Sequence, residues 1–210
     1  MRQDPFAVTA IPPMIKWLLI ANGLGFLAQM YAMESMLINF ALWPLDGGYG
    51  APAFQVWQLL TYGFLHGGFG HLFFNMFGLW MFGRVVEQVW GQQRFLVYYL
   101  VCVVGAGITQ LVTLQLMNPG EAVPTVGASG GLFGILLAFG MMFPNARVML
   151  LFPPIPMTAK WLVIGYGALE LFFGVTGTQA GVAHFAHLGG MAFGFGMITY
   201  WRNRRPPGRF

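Results

Sequence analysis

The residue of this chain that most directly suggests chemistry is Ser129. It lies in the glycine-rich run 127–131 (GASGG) and is one of only two serines in 210 residues. A histidine, His187, lies in a second glycine-rich run, 186–190 (AHLGG). An imidazole that takes the proton of a serine hydroxyl makes the oxygen nucleophilic. The pair therefore predicts nucleophilic catalysis, with Ser129 as nucleophile and His187 as general base.

A second polar pair, His71 and Asn75, supplies hydrogen-bond donors. The two residues are four apart in the run 71–75 (HLFFN), so they share one face of a helix. Ser129 is expected to open a helix, which leaves its backbone N–H without an intrahelical partner. These three donors predict an oxyanion hole for a tetrahedral intermediate.

The composition places this chemistry in a membrane. Apolar residues make up 57% of the chain and charged residues 8%, whereas soluble domains carry about 25% charged residues. The expected fold class is an all-α polytopic membrane protein that forms one domain over 1–210. The single cysteine, Cys102, permits no internal disulfide. The net charge of +4 comes from dispersed basic residues, which argues against nucleic acid as a partner.

Six segments are apolar enough to cross a bilayer, which takes roughly 17–25 residues. They cover about 14–33, 70–90, 95–116, 128–143, 158–176 and 183–202. All basic residues then fall on one side, which predicts cytoplasmic termini and a short basic tail over 203–210. These residues are Arg2, Lys16, Arg84, Arg94, Arg147, Lys160, Arg202, Arg204, Arg205 and Arg209. The opposite connections carry only Glu34, Asp46 and Glu121.

This orientation brings the chemical groups together. The second, fourth and sixth segments run inward, so His71, Asn75, Ser129 and His187 are all expected toward the outer side at similar depth. The fourth segment has 16 residues and is about 24 Å long, which is shorter than the hydrocarbon core. Its start is therefore expected below the outer surface, at the floor of a water-filled recess.

The first external connection, about 34–69, is long and apolar. It is expected to lie in the membrane interface, with Trp43, Tyr49 and Trp57 as anchors. The alternative is a loosely packed external cap.

Glycine repeats allow the two catalytic helices to approach each other. The repeats at i and i+4 are Gly130 with Gly134 and Gly190 with Gly194. Stripes of this kind let transmembrane backbones pack closely. Phe133 shares a helix face with Ser129 and is expected to pack against the ring of His187.

No acidic residue is suitably placed as a third catalytic member. Glu170 falls in the fifth segment and Asp46 in a connection, so a Ser–His dyad is expected. His184 is a rival base, but no glycine stripe accompanies it. His66 and Glu87 are expected to be structural, and Glu87 to be a hydrogen-bond hub near the inner end of the second segment.

Each of these features taken alone is explained by packing. Serine, histidine and the His71–Asn75 pair often hold helices together in membranes, and glycine stripes indicate only a tight bundle. Their convergence at one depth on one side favours catalysis.

At these residues the chain resembles the rhomboid family of intramembrane serine proteases. The matching elements are His71-xxx-Asn75, Glu87-xxx-Gly91, 127–130 (GASG) and the pattern AHxxGxxxG over 186–194. Their order, within a frame of six segments, covers nearly the whole chain.

The resemblance implies cleavage of single-span membrane proteins near their outer end, with no metal or nucleotide cofactor. It implies Ser129 as nucleophile, His187 as base, and an oxyanion hole from His71, Asn75 and the Ser129 amide. The surrounding positions are Gly127, Ala128, Phe133, Gly190 and Gly194. It further implies a six-helix bundle with a membrane-embedded first connection and a lateral gate formed by the fifth segment and the loop 174–182. Transmembrane substrates and the lipid bilayer are the expected partners.

One departure from the family pattern is Gln58, which follows Trp57 where many members carry arginine. It leaves the polar anchoring of the first connection open. The six-segment frame looks like the minimal bacterial form, so the inner membrane is the expected location. An alternative function is that of an inactive rhomboid-like protein that binds membrane helices without cutting them. A six-helix transporter should show polar groups at both faces and inverted repeats, and the sequence shows neither.

Overall fold

The structure is a computed structural model that describes residues 11–45, 47, 50–117, 119–120, 122–150, 154–179 and 181–204. Most of these residues are helical. Several residues used above lie outside the described ones: Arg2, Asp46, Tyr49, Glu121, Arg205 and Arg209. Of the predicted basic tail over 203–210, only positions 203 and 204 are described.

The long helical segments follow the predicted spans to within three residues at each end. They are α1 (Pro13–Tyr31), α4 (Phe69–Gly78) continued by a π-helical turn (Leu79–Gly83) and α5 (Arg84–Trp90), α6 (Gln92–Met117), α7 (Ser129–Met142), α8 (Ala159–Thr176) and α9 (His184–Asn203). The first connection holds α2 (Met33–Phe40), α3 (Gln58–Thr61) and a 3₁₀ turn (Tyr62–Phe64). By length and apolar composition, two described helices qualify to cross a membrane, α6 and α8.

Helix α7, which begins at Ser129, is apolar but short. Its 14 residues give a length of about 21 Å, against about 30 Å for a hydrocarbon core. Since α7 begins at Ser129, this serine lies at the end of a helix that is too short to cross the core by itself.

Helices α6, α7 and α9 form the centre of the bundle through contacts that need glycine. A Cβ at Gly105 of α6 would overlap the ring of Phe193, which lies on α9. One at Gly131 of α7 would overlap the ring of Tyr99, which is fully buried on α6. The three backbones therefore approach one another more closely than larger residues at these positions would allow.

A small hairpin joins α7 to α8, and the sequence analysis did not predict it. Strand β1 (Arg147–Met149) pairs antiparallel with β2 (Pro156–Thr158), and Val148 faces Met157 in the register. Thr158, predicted as the first residue of the fifth segment, is instead the last residue of β2 and directly precedes α8.

Parts of the first connection are packed against the bundle, which argues against the alternative of a loose external cap. Leu42, Tyr62 and Leu65 are all at most 2% exposed. Leu42 also forms an antiparallel bridge with Thr125, with N–O distances of 3.0 and 2.9 Å. This bridge ties the first connection to the segment that leads into Ser129.

Gln58 anchors the first connection as a hydrogen-bond acceptor. Its side chain is fully buried, and its Oε1 accepts the backbone N–H groups of Trp43 (3.3 Å) and Gln55 (3.2 Å). The glutamine therefore supplies the polar anchor of the first connection that the sequence analysis left open.

Glu87 of α5 holds the beginning of α1. Its two carboxylate oxygens each accept a backbone N–H, from Met14 and Ile15, at 2.9 Å. The first N–H groups of a helix have no intrahelical partner and carry a partial positive charge. The carboxylate accepts hydrogen bonds from these groups and compensates their charge. Gly91 ends α5 with φ +78°, and its N–H donates to the Glu87 carbonyl.

We expect Glu87→Ala to lower the free energy of unfolding by about 2 kcal/mol, because two buried donors lose their acceptor. The measurement is the thermal unfolding midpoint in detergent. Glu34→Ala, at an exposed acidic position of α2, is the control and should leave the midpoint unchanged. An equal effect of the two substitutions would contradict the capping role.

Candidate active site

Ser129 and His187 meet at the start of two helices. Ser129 is the first residue of α7, and His187 lies in the first turn of α9. The Oγ of the serine is 2.7 Å from the Nε2 of the histidine. The histidine is 8% exposed and the serine is half-buried, so the pair is shielded from bulk solvent on most sides.

A direct backbone contact between α7 and α9 makes this distance possible. A Cβ at Gly190 would overlap the carbonyl oxygen of Gly130, and one at Gly134 would lie 3.1 Å from the carbonyl oxygen of Gly190. Gly194 instead faces α6, where a Cβ would overlap the hydroxyl of Tyr98. On α9, Gly190 therefore contacts α7, whereas Gly194 contacts α6.

Phe133 fixes the plane of the His187 ring. The two rings are stacked, with centroids 4.3 Å apart and planes at 4°. The edge of the ring of Tyr166, from α8, packs against Phe133 at 6.1 Å. Rotation of the imidazole is therefore limited from one face by an aromatic pair.

The expectation that no carboxylate reaches the base is wrong. Oε2 of Glu170, on α8, is 2.8 Å from Nδ1 of His187 and 2.7 Å from Nδ1 of His184. A carboxylate only accepts hydrogen bonds, so His187 carries its proton on Nδ1. Its Nε2 is then free to accept the proton of the Ser129 hydroxyl.

The sequence contained a signal for this contact. A carboxylate within an apolar span is costly and requires a partner, and His184 and His187 are three residues apart on one face of α9. What the sequence left open was which face of α8 is turned toward α9.

The same three side chains offer the kinds of atom that bind metals, within 4.8 Å of one another. The two N–O separations of 2.7 and 2.8 Å are those of hydrogen bonds. Around a tetrahedral zinc ion, adjacent donor atoms lie about 3.3 Å apart. The arrangement therefore fits a proton-sharing network better than a metal centre.

His71 and Asn75 lie in the same cavity as Ser129. The backbone N–H of Gly67 donates to Nδ1 of His71 at 3.2 Å, which leaves the proton of a neutral ring on Nε2. Nδ2 of Asn75 donates to the His71 carbonyl at 2.8 Å and keeps a second N–H.

Gly127 allows His71 to come this close. Its φ is +128°, and a Cβ there would lie 2.8 Å from Nε2 of His71. The N–H of Gly127 donates to the carbonyl of Tyr62 at 2.9 Å, and the next residue, Ala128, is 2% exposed. The segment before Ser129 is thus fixed by hydrogen bonds and burial.

The site opens into a cavity of about 1060 Å³. Polar groups from α4, α7 and α9 line it together with the ends of α6 and α8. The short fourth segment predicts a recess at Ser129; that it holds water and opens to the outer side stays a prediction.

His66 supports the site from behind. It is 1% exposed, and its ring meets that of His71 edge-on at 5.1 Å. Gln29 of α1 makes two hydrogen bonds to the backbone of His66. Its Nε2 donates to the His66 carbonyl oxygen (2.8 Å), and its Oε1 accepts the His66 N–H (2.9 Å). Burial, and secondarily the nearby His71, lowers the pKa of His66 to about 4.

Comparisons with known proteins agree with these features. A family model described as "Rhomboid domain" matches residues 53–204. The chain is 35% identical over 139 residues to "Rhomboid protease GluP" of Bacillus subtilis, an alignment of 66% of this chain and 25% of that protein. It is 31% identical over 131 residues to "Rhomboid protein 1, mitochondrial" of Saccharomyces cerevisiae, which covers 62% of this chain and 38% of that protein.

A human protein extends the comparison. "Presenilin-associated rhomboid-like protein, mitochondrial" of Homo sapiens is 30% identical over 149 residues, which covers 68% of this chain and 38% of that protein. The alignments thus span between a quarter and two-fifths of the length of these curated relatives.

We expect Gly190→Ala to destabilise the protein by about 1–3 kcal/mol, because the added methyl group meets a backbone oxygen that cannot turn away. Gly196→Ala, on the same helix, is the matched control, since a Cβ there has no neighbour within 4 Å. The thermal unfolding midpoint in detergent compares them. Similar midpoints for the two variants would show that α7 and α9 are not held at this contact.

We expect His66 to make the protein less stable as the pH falls from about 6.5 to about 4. In this window the unfolded chain binds a proton that the folded protein excludes, so stability declines by up to about 1.4 kcal/mol per pH unit. His66→Gln removes this contribution, and its unfolding midpoint should depend less on pH than that of the wild type. Parallel pH curves would contradict the assignment.

Proposed function

This chain belongs to the rhomboid family, and we propose that it is an intramembrane serine endopeptidase. Members of the family are integral membrane proteins, and the family includes serine proteases. The observation that carries the proposal is the hydrogen bond of 2.7 Å between Ser129 Oγ and His187 Nε2. It lies at the floor of a cavity in a bundle that is otherwise mostly apolar.

The reaction follows from the proton positions in this pair. Ser129 Oγ attacks the carbonyl carbon of the scissile peptide while its proton passes to His187 Nε2. The imidazolium then gives that proton to the leaving amine, which departs and leaves an acyl group on Ser129. Water enters from the recess, gives a proton to Nε2 and attacks the ester carbonyl. The bond between the carbonyl carbon and Oγ then breaks, Nε2 returns the proton to Oγ, and the new carboxylic acid leaves.

Three donors are available for the oxyanion that forms in each attack. They are the backbone N–H of Ser129, Nε2–H of His71 and the second N–H of Asn75. One such donor typically stabilises a transition state by about 2.7–4 kcal/mol. Because His71 and Asn75 are fixed by hydrogen bonds to their own backbone neighbourhood, they need little reorganisation when the charge develops.

The proposed substrates are single-span membrane proteins, cut near the outer end of their transmembrane segment. Ser129 and His187 lie where α7 and α9 begin, whereas the described basic side chains lie near the other ends of the long helices. With basic residues on the cytoplasmic side, the site opens to the outer face. We propose a bacterial inner membrane as the location, and the chemistry of Ser129 and His187 requires no cofactor.

We expect Ser129→Ala to reduce cleavage of a single-span reporter by about 10⁴-fold or more. Ser35→Ala is the matched control, because Ser35 is the only other serine and is exposed. Reporter cleavage in liposomes is the measurement. Cleavage by Ser129→Ala at a rate close to that of the wild type would exclude Ser129 as the nucleophile.

We expect a fluorophosphonate to label the wild type at Ser129, and His187→Ala to abolish both labelling and cleavage. His184→Ala should keep substantial activity, because its ring does not reach the serine. If His184→Ala were inactive and His187→Ala kept substantial activity, His184 would be assigned as the base instead. Folded wild-type protein that neither labels nor cleaves would instead favour an inactive protein that binds membrane helices.

A further inference from the structure

We propose that Glu170 is a positioning residue for the hydrolysis and that His184 is its counter-ion. The inference rests on the proposed function, and it replaces a two-residue mechanism with a Ser129–His187–Glu170 triad. Its acid comes from α8, and the other two members come from α7 and α9. The four side chains form one chain of hydrogen bonds from Ser129 to the loop before α9.

Both hydrogen-bond partners of His184 are acceptors when Glu170 is ionised. Its Nδ1 is 2.7 Å from Oε2 of Glu170, and its Nε2 is 3.2 Å from the backbone carbonyl of Gln179. A carboxylate and a carbonyl only accept, so a ring with a proton on each nitrogen satisfies both contacts. The assignment of His184 as the counter-ion of Glu170 rests on this pair of acceptors.

Glu170 thus serves two imidazoles through one oxygen. Toward His187 it fixes the tautomer and stabilises the imidazolium that forms when Ser129 gives up its proton. Toward His184 it neutralises a charge that already exists. A positive charge on His184 offsets part of the negative charge of Glu170. Glu170 therefore stabilises the imidazolium of His187, and His184 destabilises it.

The position of Glu170 on α8 makes the triad depend on where this helix lies. Of residues 164–176, all of which are described, Glu170 alone is buried, at 9% exposed. Its neighbours Leu169 and Leu171 are 50% and 52% exposed. The contacts of this part of α8 with α9 include Gly174, where a Cβ would lie 3.3 Å from that of His184, and Gly167, where a Cβ would lie 3.5 Å from the Cε of Met191.

A movement of the outer half of α8 away from α9 therefore has a chemical consequence. It breaks both hydrogen bonds of Glu170, and the base then loses the group that holds its tautomer. The catalytic arrangement is complete only while α8 is seated against α9.

Few other ionisable groups face His187 in the described residues. His71 approaches from α4, and Tyr166 of α8 lies behind Phe133. Tyr98 and Cys102 of α6 contact α9 at Gly194, about two turns beyond His187. Glu170 is the acid that touches the base, so its substitution changes the charge there most directly.

The first test is Glu170→Gln, which keeps the shape of the side chain and removes the charge. The readouts are the rate of Ser129 labelling by a small fluorophosphonate, which needs no helix to enter, and kcat and KM for a single-span reporter. We expect labelling and kcat to fall by about a hundredfold or more, without a rise in KM. The acidic limb of the pH–labelling profile should move to lower pH, because the imidazolium of His187 loses its stabilising anion.

The second test is His184→Asn, whose amide nitrogen can replace Nδ1 as a donor while the positive charge is removed. We expect labelling within about tenfold of the wild type at neutral pH. Its acidic limb should move to higher pH, opposite to that of Glu170→Gln. Leu171→Ala, an exposed neighbour of Glu170, is the control and should leave the profile unchanged.

The outcomes separate this inference from the proposed function. Labelling of the wild type together with an unchanged rate and profile in Glu170→Gln overturns the positioning role alone. Shifts of the two variants in the same direction, or a Glu170→Gln deficit that follows only its lower unfolding midpoint, also overturn it. A folded wild type that does not label at Ser129 overturns the proposed function itself.

Discussion

The contact between the backbones of Gly130 and Gly190 is the constraint on which the rest of the site depends. Without side chains at these positions, α7 and α9 approach until the carbonyl oxygen of one helix lies where a Cβ of the other would be. The serine at the start of α7 then reaches the histidine in the first turn of α9. Any larger residue at Gly190 separates the helices, and a hydrogen bond tolerates only a few tenths of an ångström of separation.

In a mostly apolar bundle, a buried carboxylate needs a partner for its charge. Glu87 meets this need by accepting two backbone N–H groups at the start of α1, and Glu170 by accepting from two imidazoles. Both carboxylates are buried, and both join elements that are distant in the sequence. The cost of burying a charge thus selects specific helix–helix pairings, because a misplaced neighbour leaves the charge without a partner.

The first connection determines how the nucleophile is presented. The bridge between Leu42 and Thr125, and the bond from Gly127 N–H to the Tyr62 carbonyl, fix the segment that enters α7. With φ of +128°, Gly127 turns this segment beneath His71. The serine is therefore rigidly placed at a helix start, where its own N–H points away from the helix and is available to a developing oxyanion.

The sequence by itself predicted the helical segments to within three residues and the membership of the rhomboid family, because apolar length and local motifs are properties of neighbouring residues. It also selected Ser129, His187, His71 and Asn75, which the structure brings to one cavity. It did not predict the hairpin of β1 and β2, the acceptor role of Gln58, or the contact of Glu170 with two histidines. Those features depend on which face of one element is turned toward another. Only the packing of α8 against α9 decided that Glu170, an acid in an apolar span, reaches His187.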